Sequence, residues 1–231
     1  MLRNLRNVVF AAGISAVCGL SSACGADLDK PIPAAAVDVP KAQAPVSETA
    51  VLAGGCFWGM QGVFEHVRGV TKVVAGYSGG AKATAIYELV GTETTGHAES
   101  VQVTFDPRVV SYGDILRVYF SVAHNPTELN FQGPDSGPSY RSEIFFASPM
   151  QEKIAKAYVA QLTAAHIFGA PIVTKIEKLN GFYNAEGYHQ DYLFHNPNAG
   201  YIAAYDMPKI AALKRIWPAM YSEKPVLLAS N

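Results

Sequence analysis

The stretch "TAVLAGGCFWGMQGVFEHV", residues 49–67, limits the fold of this chain more than any other segment. Residues 49–53 form a short apolar run halted by Gly54 and Gly55, the pattern of a buried strand ending at a turn. Phe57, Met60, Phe64 and Val67 then recur at helical spacing. A strand that feeds a helix through so short a junction lays that helix back on a sheet. The junction also places Cys56 at the first helical turn, where unpaired backbone N–H groups and the positive end of the helix dipole converge.

A thiolate is stabilised at such a place, so the sequence predicts a lowered pKa and a nucleophilic Cys56. On this reading the two glycines leave room for a substrate beside the sulfur. The competing reading is a small apolar core residue, because free cysteines are often buried. Phe57 and Trp58 cannot both face one core. One packs inward while the other lines an apolar cup beside the sulfur, or else the second is an ordinary surface tryptophan.

Further along, "GVTKVVAGYSGG" reads as a strand entering a Gly-rich loop, "HAESVQVTF" as an alternating strand, and "SYGDILRVYFSVA" as a helix opened by a Ser or Asp. "SEIFFAS" and "PIVTKIEKL" read as strands, and "SPMQEKIAKAYVAQLTAAH" as a helix opened by Ser148 and Pro149. No internal repeat is visible. Strands and helices interleave irregularly, which predicts an α/β (α+β) sandwich of helices on a mixed sheet. With 49% hydrophobic and 16% charged residues, one domain with a proper core is expected. A formal net charge of -1 offers no basic excess for nucleic acid.

The ends read differently. Residues 1–26 run from a basic "MLRNLRN" through an apolar stretch to small residues, the pattern of an export signal. Cleavage before Asp27 and lipidation of Cys24 both fit, although Leu20 lies one place too far out for the second. An exported, periplasmic protein, lipid-anchored in the second case, is the expectation. Residues 27–47 are Pro- and Ala-rich and read as a tether; 48–218 form the single catalytic domain and 219–231 a loose tail. Cys18 and Cys24 fall within the signal, so Cys56 is the one free thiol expected in the mature chain.

In "HAESVQVTF", Glu99 shares a face with Val101, Val103 and Phe105. A carboxyl on an apolar face tends to stay protonated and can then donate a proton; a sheet-end Glu reaching water or a lysine is the plainer alternative. "HNPTELNFQGPDSGPSYRSEIFF" places Asp135 and Tyr140 in a Gly/Pro-rich loop, where site residues often lie. Taken singly, Asp135 reads as a turn residue and Tyr140 as packing.

"GGCFWG", "TGHAES" and "QGPDSGPSYRS", in this order, resemble the A-type peptide methionine sulfoxide reductase family, over roughly residues 49 to 200. "GYSGG", "AIYELVGTETTGHAE" and "GFYNAEGYHQDYLFHNP" fit the same pattern. The resemblance implies a ferredoxin-like α/β plait with a long irregular C-terminal coil. It implies that Cys56 attacks a sulfoxide sulfur, that Phe57 and Trp58 hold the S-methyl group, and that Glu99 protonates the sulfoxide oxygen. Tyr87 and Tyr140 would hold that oxygen and Asp135 would help organise the site. The implied substrates are methionine S-sulfoxide, free or in oxidised proteins. No metal or organic cofactor is implied, and a monomer is expected.

Many members of that family carry further cysteines in the C-terminal coil, whereas this chain has none after Cys56. The expectation is therefore a sulfenic acid at Cys56 reduced by an external thiol or thioredoxin-like protein. Rival readings are a Cys–His hydrolase using His97, His124, His189 or His195, a thiol peroxidase, and a non-enzymatic binding domain. His189 and Asp191 in "GYHQDY" are expected to be structural.

Overall fold

The computed structural model describes residues 31–228. The expected export signal, with Cys18 and Cys24, and the last residues of the expected tail lie outside the described residues. In chain order the elements are β1 (Glu48–Ala53), α1 (Phe57–Glu65), β2 (Val70–Ser78), α2 (Tyr87–Val90), β3 (Ala98–Phe105), α3 (Tyr112–Val118), β4 (Phe131–Gln132) and β5 (Asp135–Ser136). There follow β6 (Glu143–Phe146), α4 (Pro149–Ala164), β7 (Lys175–Lys178), β8 (Phe182–Asn184), α5 (Tyr192–His195) and α6 (Met207–Ile216).

The fold is mixed α/β. Six strands form one sheet in the order β7-β6-β1-β3-β2-β8. The β6–β7 pair is parallel and the other neighbours are antiparallel. β1 and β2 both pair with β3, so α1 is the crossover between two parallel strands that hold β3 between them. Phe57, Met60, Val63 and Phe64 of α1 are fully buried with Leu52, Val73, Val101 and Val103 of the sheet. Each such side chain contributes about 1.5–3 kcal/mol by leaving water.

Helix starts follow the sequence. Ser111 caps α3 in a reciprocal capping box with Asp114, and Ser148 accepts from the Gln151 N–H at 3.2 Å to open α4. Past α3 the chain continues as a π-helical turn over Tyr119–Ala123.

Both flanks differ from expectation. Residues 31–42, read as a tether, are bound to α3 and α4. Ile32 is buried, its carbonyl accepts from Arg117 Nε at 2.9 Å, and Pro33 O accepts from Tyr158 Oη at 2.6 Å. The Asp38 carboxylate accepts from Ser111 Oγ and the Gly113 N–H. A Pro-rich segment lacks donors for a sheet but lies flat on helices, so low periodicity here marks an extended strap. Likewise residues 219–228 are no loose tail. Tyr221 bridges Val67, and the Ser222 and Val226 N–H groups donate to the His66 and Glu65 carbonyls. The expected irregular C-terminal coil holds β8, α5 and α6, and α6 packs against α1.

Candidate active site

Strand register builds the site. Ala53, the last residue of β1, pairs with Ser100, so Glu99 lies one position beyond, level with the turn that leads to Cys56. Cys56 caps α1, and the Phe57 N–H donates to Glu99 Oε2 at 3.0 Å. Glu99 is buried, as its face predicted, and loss of solvent pushes its pKa up to about 8 despite that N–H; negative charge at Asp135, Glu93 and Asp206 adds to the rise. At neutral pH this carboxyl carries a proton.

Cys56 departs from expectation. Its thiol is pushed well above the ordinary value, first by burial, then by Glu99 and Asp206. The Trp58 N–H and Lys209 pull it the other way. The helix dipole does point at the sulfur, but burial opposes it, with the Glu99 and Asp206 carboxyls near the same end of α1, so the resting group is a neutral thiol. The glycines also act differently from expected. A Cβ on Gly54 would lie 2.7 Å from His124 Cγ, and on Gly55, at φ +88, 2.7 Å from Gln132 Cβ. They admit these two side chains behind the turn rather than a substrate at the sulfur.

Phe57 packs inward against Tyr77 and His189. Trp58 is half-buried and stacks on Tyr192, centroids 3.9 Å apart, with Tyr201 edge-on at 6.2 Å. Its indole N–H donates to His189 Nδ1 at 3.1 Å. Trp58, Tyr192 and Tyr201 therefore form an aromatic wall, and His189 fixes its orientation.

Tyr87 opens α2, whose first N–H donates to Glu186 Oε1 at 3.0 Å; Glu186 also accepts from Tyr77 Oη. Tyr140 ends a 3-10 turn whose Ser139 is gripped through its N–H and hydroxyl by Glu93. Burial, then the charge of Glu99, raises the pKa of both tyrosines, and Cys56 contributes to each, so the two hydroxyls remain donors in the neighbourhood of the thiol and the acid. Asp135 sits in the β4–β5 hairpin opposite Gln132 and accepts from Tyr201 Oη. Burial raises its pKa, while Tyr201 and Lys209 oppose the rise.

Thus Cys56, Glu99, Tyr87, Tyr140, Asp135 and Trp58 share one neighbourhood, with Phe57 buried behind them. Sequence reasoning missed Tyr201, Tyr192, Asp206 and Lys209. They come from a region without strong periodicity; the aromatic spacing in "DYLFHNPNAGY" was the available signal. Among the described residues no hydrogen bond joins a histidine to Cys56. His124 is buried neutral between Tyr119 O and Ser142 Oγ, its pKa driven down to about 3 by loss of solvent. His97 lies under Gly80 and Ala81. Asp191, at φ +53, binds Gln61 through its N–H and carboxylate. No group of three or more His, Cys, Asp or Glu among the described residues is arranged to hold a metal.

A buried thiol beside a protonated carboxyl and two neutral phenols is the site of a thiol-dependent oxidoreductase. The family model for peptide methionine sulfoxide reductase matches residues 48–220. The chain is 62% identical over 187 residues to peptide methionine sulfoxide reductase MsrA 2 of Mesorhizobium japonicum, covering 81% of this chain and 96% of that one. It is 46% identical to the Deinococcus radiodurans MsrA, covering 74% and 82%. Among solved structures, methionine sulfoxide reductase A of Corynebacterium diphtheriae superposes with a TM-score of 0.58 at 34% identity, over 68% of this chain and 78% of that one. Reduced Mxr1 of Saccharomyces cerevisiae superposes with a TM-score of 0.59 at 32% identity, over 66% and 87%. The chain belongs to the peptide methionine sulfoxide reductase family, A type.

Proposed function

We propose that this chain reduces methionine S-sulfoxide, free and within oxidised proteins, through a sulfenic acid at Cys56. The observation that carries the reading is the buried Glu99 beside Cys56, held protonated at neutral pH. A sulfoxide oxygen is a poor leaving group until it is protonated, and its sulfur becomes electrophilic as the proton arrives. Tyr87 and Tyr140 hold the oxygen, Glu99 delivers the proton, and Cys56 attacks the sulfur. The oxygen passes to Cys56 as Cys–S–OH and the thioether leaves. The proton lost by the thiol restores Glu99, so the half-reaction balances without a cofactor. Trp58, backed by the buried Phe57, bounds the apolar cup for the methyl group, and Asp135 orders Tyr201 at its rim.

The chain has no cysteine after Cys56, which supports reduction of the sulfenic acid by an external thiol or a thioredoxin-like protein. The strand order β6-β1-β3-β2, with α1 crossing over, supports the ferredoxin-like plait. The basic-then-apolar pattern of residues 1–26 supports export to the periplasm, with a lipid anchor if Cys24 is acylated.

The test is turnover with dithiothreitol, offering methionine S-sulfoxide, the R epimer and hydrogen peroxide separately. Methionine is expected from the S epimer alone, and none from Cys56→Ser. Rapid peroxide consumption without methionine formation would transfer the site to the peroxidase class.

A further inference from the structure

Asp206 is a buried carboxyl that the reaction above leaves unused; burial raises its pKa, and Lys209 opposes the rise. It joins the π-helical turn Ile202–Asp206 to α6 and is fully enclosed, at 0% exposure. Its Oδ1 accepts from Lys209 Nζ at 3.1 Å, while Oδ2 has no hydrogen-bond partner among the described residues. Leaving a carboxylate oxygen unpaired in the interior is costly, so its position calls for a cause.

That position is the first turn of α1. A Cβ on Gly59 would lie 2.0 Å from Asp206 Oδ1 and 3.1 Å from Lys209 Nζ. Only a residue without a side chain allows the pair to settle there, three places after Cys56. The Phe57 N–H is given to Glu99 and the Trp58 N–H to Cys56. The positive end of α1 is therefore shared by the thiol and Glu99 of β3, while Asp206 from the C-terminal region lies against Gly59 in the same turn.

We propose that Asp206 and Lys209, seated against Gly59 in the first turn of α1, are a positioning pair that tunes the reactivity of Cys56: Asp206 disfavours negative charge on the sulfur, and Lys209 supports it as the sulfur attacks. The pair acts through Cys56 and touches no reacting atom. The assignment deepens the proposed sulfoxide reduction and rests on it for its purpose. The titratable groups facing Cys56 are Glu99 of β3, Tyr87 of α2, Tyr140 of the 3-10 turn, Tyr201, Asp206 and Lys209. Of the groups acting on the thiol, burial, Glu99 and Asp206 oppose its ionisation, whereas the Trp58 N–H and Lys209 favour it. Lys209 also offsets the carboxylate charge of Asp135, so its removal acts on both sides of the site.

The test is the pH dependence of iodoacetamide alkylation at Cys56 in the reduced full-length protein, read by mass spectrometry on the Cys56 peptide. Asp206→Asn is expected to move the alkylation midpoint down by about one pH unit, which raises the neutral-pH rate about tenfold. Lys209→Met is expected to move it up, and Lys209→Arg to restore it. A residue that only braces α6 would change the melting temperature and leave the midpoint in place. If Asp206→Asn does not fold, the Lys209→Met and Lys209→Arg pair decides, because that side chain is at the edge of the interior, 19% exposed. An unmoved midpoint in Lys209→Met overturns the proposal. Alkylation needs no sulfoxide, so shifted midpoints in a protein without reductase activity would uphold the pair and reject the assigned reaction.

Discussion

The Phe57 backbone N–H donates to the Glu99 carboxyl at 3.0 Å, which ties the first residue of α1 to the acid beside Cys56. The N–H occupies one carboxyl oxygen and leaves the other free to carry the proton. Glu99→Gln keeps an oxygen for Phe57 but has no acidic proton. The account predicts a single-turnover rate lower by about 10²- to 10⁴-fold, with little change in melting temperature. A rate within a few-fold of the parent would remove Glu99 from the acid role.

The rate should also titrate. In the proposed mechanism Glu99 acts in its protonated form, and burial lifts its pKa to about 8, so methionine formation is expected to hold at neutral pH and to fall as pH rises through that value. Glu99→Gln should lose this alkaline limb. A pre-steady-state rate profile for both proteins checks the point; a limb retained in the variant would assign it to another group.

A second buried carboxyl governs stability. Glu65, near the end of α1, is hydrogen-bonded to Asp191, and burial lifts its pKa to about 9. Between about 4.5 and 9 the unfolded chain releases this proton while the folded chain keeps it, so the folded state binds more protons and stability falls as pH rises across that window. Glu65→Gln can still donate to Asp191 and removes this group's share of the slope, leaving that of Glu99, whose pKa is raised to about 8. Denaturant midpoints at pH 5 and pH 8.5 should be similar for the two proteins at the acid end and favour Glu65→Gln at the alkaline end. Parallel curves would contradict the shared proton.

Gly54→Ala should cost about 1–3 kcal/mol, because the new methyl meets the buried His124 ring, which is held by two hydrogen bonds. Urea denaturation checks the magnitude. An unchanged midpoint would show that His124 can withdraw.

The β1–α1 junction, β3 with Glu99 inward and the capped α3 and α4 were legible because period, cap and turn residues agree there. Cys56 was legible as a site but not in its charge state. Helix position argued for a thiolate; burial of the sulfur opposes it first, then Glu99, then Asp206, which comes from 150 residues away in a segment with no diagnostic pattern. Tyr87 entered through the resemblance alone, since nothing in "AIYELV" shows that Glu186 fixes its helix start. The strap over residues 31–42 was invisible because extended proline-rich chain has the same composition whether it is bound or free.

The central claim is that Cys56 alone takes up the sulfoxide oxygen. The most direct measurement is a single turnover of the fully reduced protein, freed of reductant and mixed with methionine S-sulfoxide, with a sulfenic-acid trap present. The account predicts about one equivalent of methionine and trapped sulfenic acid at Cys56. Cys56 recovered as a thiol with no methionine formed would contradict it.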